Sequence, residues 1–204
     1  MIHIVDYGLG NVQAFLNVYN RMGFKALRAK TADDLSDATK IILPGVVSFD
    51  HAIKLLDQSE MRDKLDQLAI NEKIPILGIC VGMQILASSS DEGNLPGLGW
   101  IPGKVCSFNS NPKTENLPLP HMGWNNAYPN SSNPLFKGLE DKAKFYFLHS
   151  YYFECNNDFH QTSKAFYGFN FSSSISKDNI FGVQFHPEKS HHFGAQLLKN
   201  FAEV

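Results

Sequence analysis

Cysteine is scarce in this 204-residue chain, which holds only Cys80, Cys106 and Cys155. An odd number cannot pair completely, and the spacing fits neither a zinc motif nor a redox Cys-x-x-Cys pair, so a disulfide scaffold is excluded. A surplus of charge is missing too. Lys and Arg number 18 against 20 Asp and Glu, a net charge of −2 that offers no basic face to nucleic acid or an anionic membrane. No apolar run approaches the roughly 20 residues of a membrane-spanning helix. Residues 1–6 lack the basic-then-apolar order of a secretory leader, so none is expected. What is present, 43% hydrophobic and 19% charged residues, suits an ordinary globular protein. The expectation is a single domain over residues 1–204, in a reduced cytoplasmic setting, with no metal and no cofactor.

The first half of the chain alternates strand-like and helix-like segments. Apolar runs at 2–5, 25–28, 40–43 and 75–79 predict strands, the third stopped by Pro44-Gly45. Between them, helices are predicted over 12–22, closed by Gly23 as a C-cap, and within 51–71. A further helical stretch, 81–86, follows the fourth strand directly. Strands spaced by helices imply βαβ units and a mainly parallel sheet. The second half reads as strands at 104–108, 144–148, 151–155, 165–170 and 180–185, with polar gaps at 109–120 and 129–133, and a last helix over 194–202. Together these make an α/β three-layer core with a partly antiparallel extension.

Gly78-Ile79-Cys80-Val81-Gly82 follows the apolar strand immediately and has the form of a nucleophile elbow with cysteine at its centre. A sharp strand-to-helix turn strains the nucleophile's backbone, and small neighbours let the chain bend. The thiol then sits at a helix N-terminus, where the dipole favours the thiolate, and the Val81 amide is a natural oxyanion donor. A cysteine nucleophile needs a base, and the base needs an orienting group. Phe185-His186-Pro187-Glu188 offers both, since residues two apart on an extended chain project to the same side.

These segments, extended to Met83-Gln84 and to Gly182-Val183-Gln184 and Lys189-Ser190, resemble the class I glutamine amidotransferases. More closely, the chain resembles the glutaminase-subunit branch of imidazole glycerol phosphate synthase. That resemblance also rests on Asp6-Tyr7-Gly8-Leu9-Gly10-Asn11, Leu43-Pro44-Gly45-Val46, Leu98-Gly99-Trp100-Ile101-Pro102-Gly103, Pro120-His121-Met122-Gly123-Trp124-Asn125 and Tyr146-Phe147-Leu148-His149-Ser150-Tyr151. It implies a flavodoxin-like fold and glutamine hydrolysis by Cys80, His186 and Glu188. Gly45 and Val46 match the oxyanion strand, Gln84 a glutamine-binding position, and Ser150 and Tyr151 positions that hold the substrate's amino-acid end. Trp124, Tyr146 and Lys189 match positions at the interface with a cyclase (βα)8 barrel, the heterodimer partner to which ammonia passes. The oxyanion strand departs from the family's Pro-Gly-Val-Gly at Val47. Valine is stiff and avoids positive φ, so the strand is expected to resist a peptide flip. Residues 13–15 and 189–194 look more like a paralogous branch that supplies ammonia for amidation of a surface-polysaccharide sugar, which leaves two candidate acceptors.

Plainer readings apply elsewhere. Gly8-Leu9-Gly10 lacks the rest of a dinucleotide fingerprint and reads as a tight turn. Adjacent His191 and His192 do not converge on one ion. Cys106 and Cys155 read as core fillers, Asp91-Glu92-Gly93 as a solvated loop, and His121 and His149 as structural or substrate-side. Two rival functions fit the same triad: a cysteine peptidase on the same scaffold, and a binding module without catalysis.

Overall fold

A computed structural model describes residues 1–130, 133–139 and 143–204; part of the polar stretch expected at 129–133 therefore lies outside the described residues. The strands are β1 Ile2–Val5, β2 Ala26–Ala29, β3 Lys40–Gly45, β4 Ile76–Cys80, β5 Ser89–Ser90, β6 Gly103–Ser107 and β7 His121–Asn126. They continue as β8 Tyr128–Pro129, β9 Lys144–His149, β10 Tyr151–Cys155, β11 Gln161–Tyr167, β12 Phe169–Lys177 and β13 Ile180–Val183. The helices are α1 Val12–Arg21, α2 Phe49–Gln58, α3 Arg62–Asp66, α4 Val81–Gln84 and α5 His191–Glu203.

The main sheet runs β2-β1-β3-β4-β13-β12-β10-β6-β5. It is parallel from β2 to β13 and becomes antiparallel where β12 joins β13 and continues through β10 and β6. Strands β1, β4 and β13 are buried throughout, as a parallel sheet covered on both faces requires. Connection β1-α1-β2 runs one way across the sheet and β3-α2-α3-β4 the other. Right-handed crossovers therefore put their helices on opposite faces. α5 joins α1, with Tyr19 Oη donating to the Leu198 carbonyl at 3.1 Å, and this completes three layers. A separate two-stranded sheet, β7-β9, stands beside the main one.

Several boundaries differ from expectation for local reasons. Pro44-Gly45 does not stop β3. The ladder with β1 ends at Ile4↔Ile42, so the missing proline donor is not needed on that side. Pro44↔Ile79 and Gly45↔Cys80 continue the strand against β4. The helix expected within 51–71 breaks after α2, where Glu60 takes φ 59°, and resumes as α3. The strand expected at 165–170 is a hairpin of β11 and β12 turned at Gly168, whose φ is 74°. Helix α4 ends at Gln84 rather than 86, and α5 starts at His191 rather than 194. Strand β7 had no period-2 signature of its own.

Candidate active site

The elbow is built by packing. Cys80 ends β4 with φ 55° and ψ −113°, a conformation that costs a non-glycine residue about 1–3 kcal/mol. Gly82 lies so close to β3 that a Cβ would stand 1.9 Å from the Leu43 carbonyl oxygen, and one on Gly45 would stand 2.3 Å from the Gly82 nitrogen. A Cβ on Gly78 would lie 2.6 Å from the Gly82 carbonyl. The glycines are thus needed to lay α4 against β3 and β4, more than to admit a ligand. Register Gly45↔Cys80 sets the end of β3 beside the thiol, while β13 pairs with β4 on its other side.

From β13 the chain runs through Gln184 and Phe185 to His186. The His186 backbone is clamped: its N–H donates to the Tyr146 carbonyl at 2.8 Å, and its carbonyl accepts from Ser190 Oγ at 2.6 Å. Ser190 Oγ in turn accepts from the Tyr146 N–H at 2.9 Å. His186 Nδ1 lies 2.9 Å from Glu188 Oε1, and both side chains are buried. Residues 187–189 form a 3₁₀ turn, so the pair meets across a tight turn and not along an extended strand. A carboxylate only accepts, so Nδ1 carries the proton and the other ring nitrogen is left for Cys80, whose side chain hydrogen-bonds the ring. Burial alone would lower the His186 pKa; the hydrogen bonds and charges of Cys80 and Glu188 outweigh it and push the pKa up to about 10. The arrangement favours the protonated His186 ring. Glu188 Oε2 is buried without a hydrogen-bond partner among the described residues.

Cys80 and His186 open onto a cleft of about 260 Å³ that Val46, Val81, Gln84, Glu92, Ser150, Tyr151 and Lys189 also line. One backbone carbonyl orients much of its wall. Tyr151 O accepts from Gln84 Nε2 at 3.2 Å and from His149 Nδ1 at 2.8 Å. With His149 Nδ1 donating, its Nε2 must accept from His121 Nδ1 at 2.9 Å. His121 Nε2 then accepts from Asn125 Nδ2 at 3.2 Å. Both imidazoles are therefore neutral, and burial pushes their pKa down, to about 4 for His121 and about 3 for His149. A thiol beside an imidazole that a carboxylate orients is chemistry suited to acyl transfer.

A family model described as glutamine amidotransferase class-I matches residues 3–204. The chain belongs to this family. Among relatives of this amidotransferase, a Bdellovibrio bacteriovorus protein named imidazole glycerol phosphate synthase subunit HisH is 58% identical over the whole of both chains. A Leptospira interrogans protein of the same name is 52% identical, again over the whole of both. One from Methanococcus maripaludis, named subunit HisH 2 of that synthase, is 45% identical over 98% of each chain. Among solved structures, a crystal structure of a glutamine amidotransferase superposes with a TM-score of 0.77 at 16% identity, covering 99% of this chain and 97% of that one. The structure of PurLQS from Thermotoga maritima gives 0.75 at 18% identity, with the same coverage. At such identities these likenesses speak to the fold, the class I amidotransferase fold with its mixed, mostly parallel sheet.

The amidotransferase brings the remaining predicted residues together beside the cleft. Trp124 on β7 faces Tyr146 on β9 in register, with ring centroids 6.1 Å apart. Lys189 Nζ lies 5.9 Å from the centre of the Tyr146 ring, and His191 stacks on Trp124 at 5.1 Å. Two residues escaped the sequence reading. Glu92, expected in a solvated loop, is half-buried in the cleft wall, where Oε2 accepts the Phe49 N–H at 2.8 Å and burial pushes its pKa up. Gln184, quoted only as part of a motif, is wholly buried with Nε2 3.8 Å from Cys80 Sγ. Cys106 and Cys155 are half-buried; Cys155 packs against the core, as expected of a filler, and Cys106 is outside it. Burial raises both thiols, to about 11 and about 12.

Proposed function

We propose that this amidotransferase is the glutaminase subunit of an imidazole glycerol phosphate synthase. In this reading it hydrolyses L-glutamine and passes the ammonia to a cyclase (βα)8-barrel partner, which makes imidazole glycerol phosphate and AICAR in histidine biosynthesis. The observation that carries the hydrolysis is the His186 ring held between the Cys80 side chain and Glu188 at the cleft; the relatives' names support the acceptor. Those names give the surface-polysaccharide sugar no support, and membership of the family sets the peptidase reading aside. A cytoplasmic heterodimer is the setting proposed; among the described residues no helix is long and apolar enough to cross a membrane.

Cys80 thiolate adds to the side-chain amide carbon of glutamine, and the oxygen takes up the charge between the amides of Val81 and Val46. His186 gives its proton to the departing nitrogen as the C–N bond breaks, leaving ammonia and a γ-glutamyl thioester. Water then attacks the thioester, His186 takes the water's proton, and glutamate leaves as Cys80 regains its charge. Glu188 holds the ring throughout. Glu92 supplies a carboxylate for the substrate's α-ammonium, and Ser150 and Tyr151 line the same end of the cleft.

The test pairs turnover with labelling. Cys80→Ala should abolish glutamine hydrolysis while the chain stays folded. An electrophilic glutamine analogue should add to Cys80 alone, since the thiols of Cys106 and Cys155 are held protonated. Labelling elsewhere by mass spectrometry, or normal turnover in the variant, refutes the assignment.

A further inference from the structure

Cys80 has less help from its own helix than an elbow implies. α4 spans only Val81–Gln84, and one turn sums few peptide dipoles. The sulfur's charge must be held by side chains, and β13 leads to one of them. Gln184, just past Val183, is 0% exposed; its Nε2 stands 3.8 Å from Cys80 Sγ and its Oε1 3.1 Å from Gln84 Nε2.

Which end of that amide meets the sulfur is decided by the backbone. The Tyr151 carbonyl can only accept, so Gln84 turns its amino group towards it. The second N–H of Gln84 then needs an acceptor, and Gln184 must give it Oε1. The amino group of Gln184 is what remains for Cys80, and it is a donor. The other polar neighbour of Sγ here is the Leu148 carbonyl at 3.8 Å, which pairs with a thiol and repels a thiolate. Among the described residues, and away from His186, the Gln184 N–H is the side-chain contact that favours the charged sulfur. The same constraint leaves Gln84 Oε1 free of both bonds that fix its amino group.

We propose that Gln184 is a catalytic residue of the hydrolysis, donating Nε2–H to the Cys80 sulfur and holding it as the thiolate that attacks glutamine. This deepens the reading of Cys80 as nucleophile and rests on it. The sulfur is charged before attack, neutral in the thioester, and charged again on release. A buried amide serves the first and last states without moving a proton, and its burial keeps water from competing for its own N–H.

Two variants test it. Gln184→Glu keeps the shape and an oxygen for Gln84 but sets an oxygen against the sulfur. Gln184→Met removes both polar atoms. Alkylation of Cys80 by iodoacetamide is followed against pH in the full chain by mass spectrometry, with Cys106 and Cys155 as internal references. The charged and titratable groups around the sulfur (His186 and Glu188 beyond β13, Tyr7 after β1, Glu92 and Lys189 across the cleft) are unchanged in both variants. The alkylation midpoint should rise by about one unit in Gln184→Met and further in Gln184→Glu. Glutamine kcat should fall about tenfold or more, with KM changed by no more than about threefold. An unmoved midpoint in the isosteric Gln184→Glu variant, or a change in KM alone, overturns the proposal. If Cys80 were not the nucleophile, Cys80→Ala would still turn over glutamine. If only the role of Gln184 were wrong, Cys80→Ala would be dead and both Gln184 variants would alkylate as wild type does.

Discussion

At the scale of the residue, His186 donates from Nδ1 and Glu188 accepts at Oε1. In the proposed mechanism His186 delivers the proton to the leaving nitrogen, so His186→Ala should cost about 10²–10⁴-fold in kcat. Glu188→Gln keeps an acceptor for Nδ1–H and loses only the charge, a change of about 1.5 kcal/mol, or about tenfold. Steady-state glutamine turnover ranks the two; a worse defect in Glu188→Gln would reverse the roles. The neutral histidines make a different prediction. His121, His149 and His3 are held below the ordinary imidazole pKa chiefly by burial, while unfolding frees each to titrate near 6.5. Between about pH 6.5 and 4 the unfolded chain binds more protons than the folded one, so stability falls as the pH falls through that window. Urea midpoints at pH 6.5 and 5, below the range where His186 titrates on unfolding, should show the loss, and His149→Gln should show less of it. A flat profile would mean that these rings are not held neutral.

Elements are where sequence reading succeeded and failed for identifiable reasons. Strands β1, β4 and β13 are buried along their lengths, and β3 after Lys40, and so spell near-continuous apolar runs. The elbow and the His-Pro-Glu segment were legible because their chemistry is local. β7 was not, because Met122 and Trp124 are apolar yet 64% and 48% exposed, which erases the alternation. Gln184 was not, because its partners Gln84 and Cys80 lie 100 and 104 residues away. The oxyanion strand corrects a sign. Valine at 47 was expected to resist a flip, but it already stands at φ 66° and 62% exposed. The strain therefore belongs to this conformer, and glycine would relieve it. If this is the resting state, Val47→Gly deepens it by about 1–3 kcal/mol, and free-chain turnover should drop by about fivefold or more. Turnover equal to wild type would show that residue 47 does not bear on the oxyanion hole. Gly82→Ala probes the same element differently. With a Cβ driven against the Leu43 carbonyl, α4 cannot seat, and thermal melting should show a large loss of stability.

The whole molecule presents one face that its own packing leaves open. Met122 and Trp124 on β7, Tyr146 and Leu148 on β9, and Val46 and Val47 after β3 lie about the mouth of the cleft; of these only Tyr146 is not among the exposed large hydrophobics. β7 and β9 form a sheet of their own, and Met122, Trp124 and Leu148 on it are exposed. The net charge of −2 supplies no long-range attraction that would substitute for contact. Trp124 is the natural anchor: it is held rigid by stacking on His191 and by the edge of Tyr146, so little side-chain entropy remains to be lost on binding. A partner seated here would also close the cleft over Cys80, and ammonia would leave into it instead of into water. Titration calorimetry with the cyclase barrel should therefore give a one-to-one complex. Trp124→Ala should weaken it by about 2 kcal/mol or more, roughly 30-fold in Kd, and release part of the ammonia to solvent. Phe159, 91% exposed beyond the far end of β10, is the control, and Phe159→Ala should bind as wild type does. Equal loss in both variants, or undiminished transfer with Trp124→Ala, would move the partner to another face.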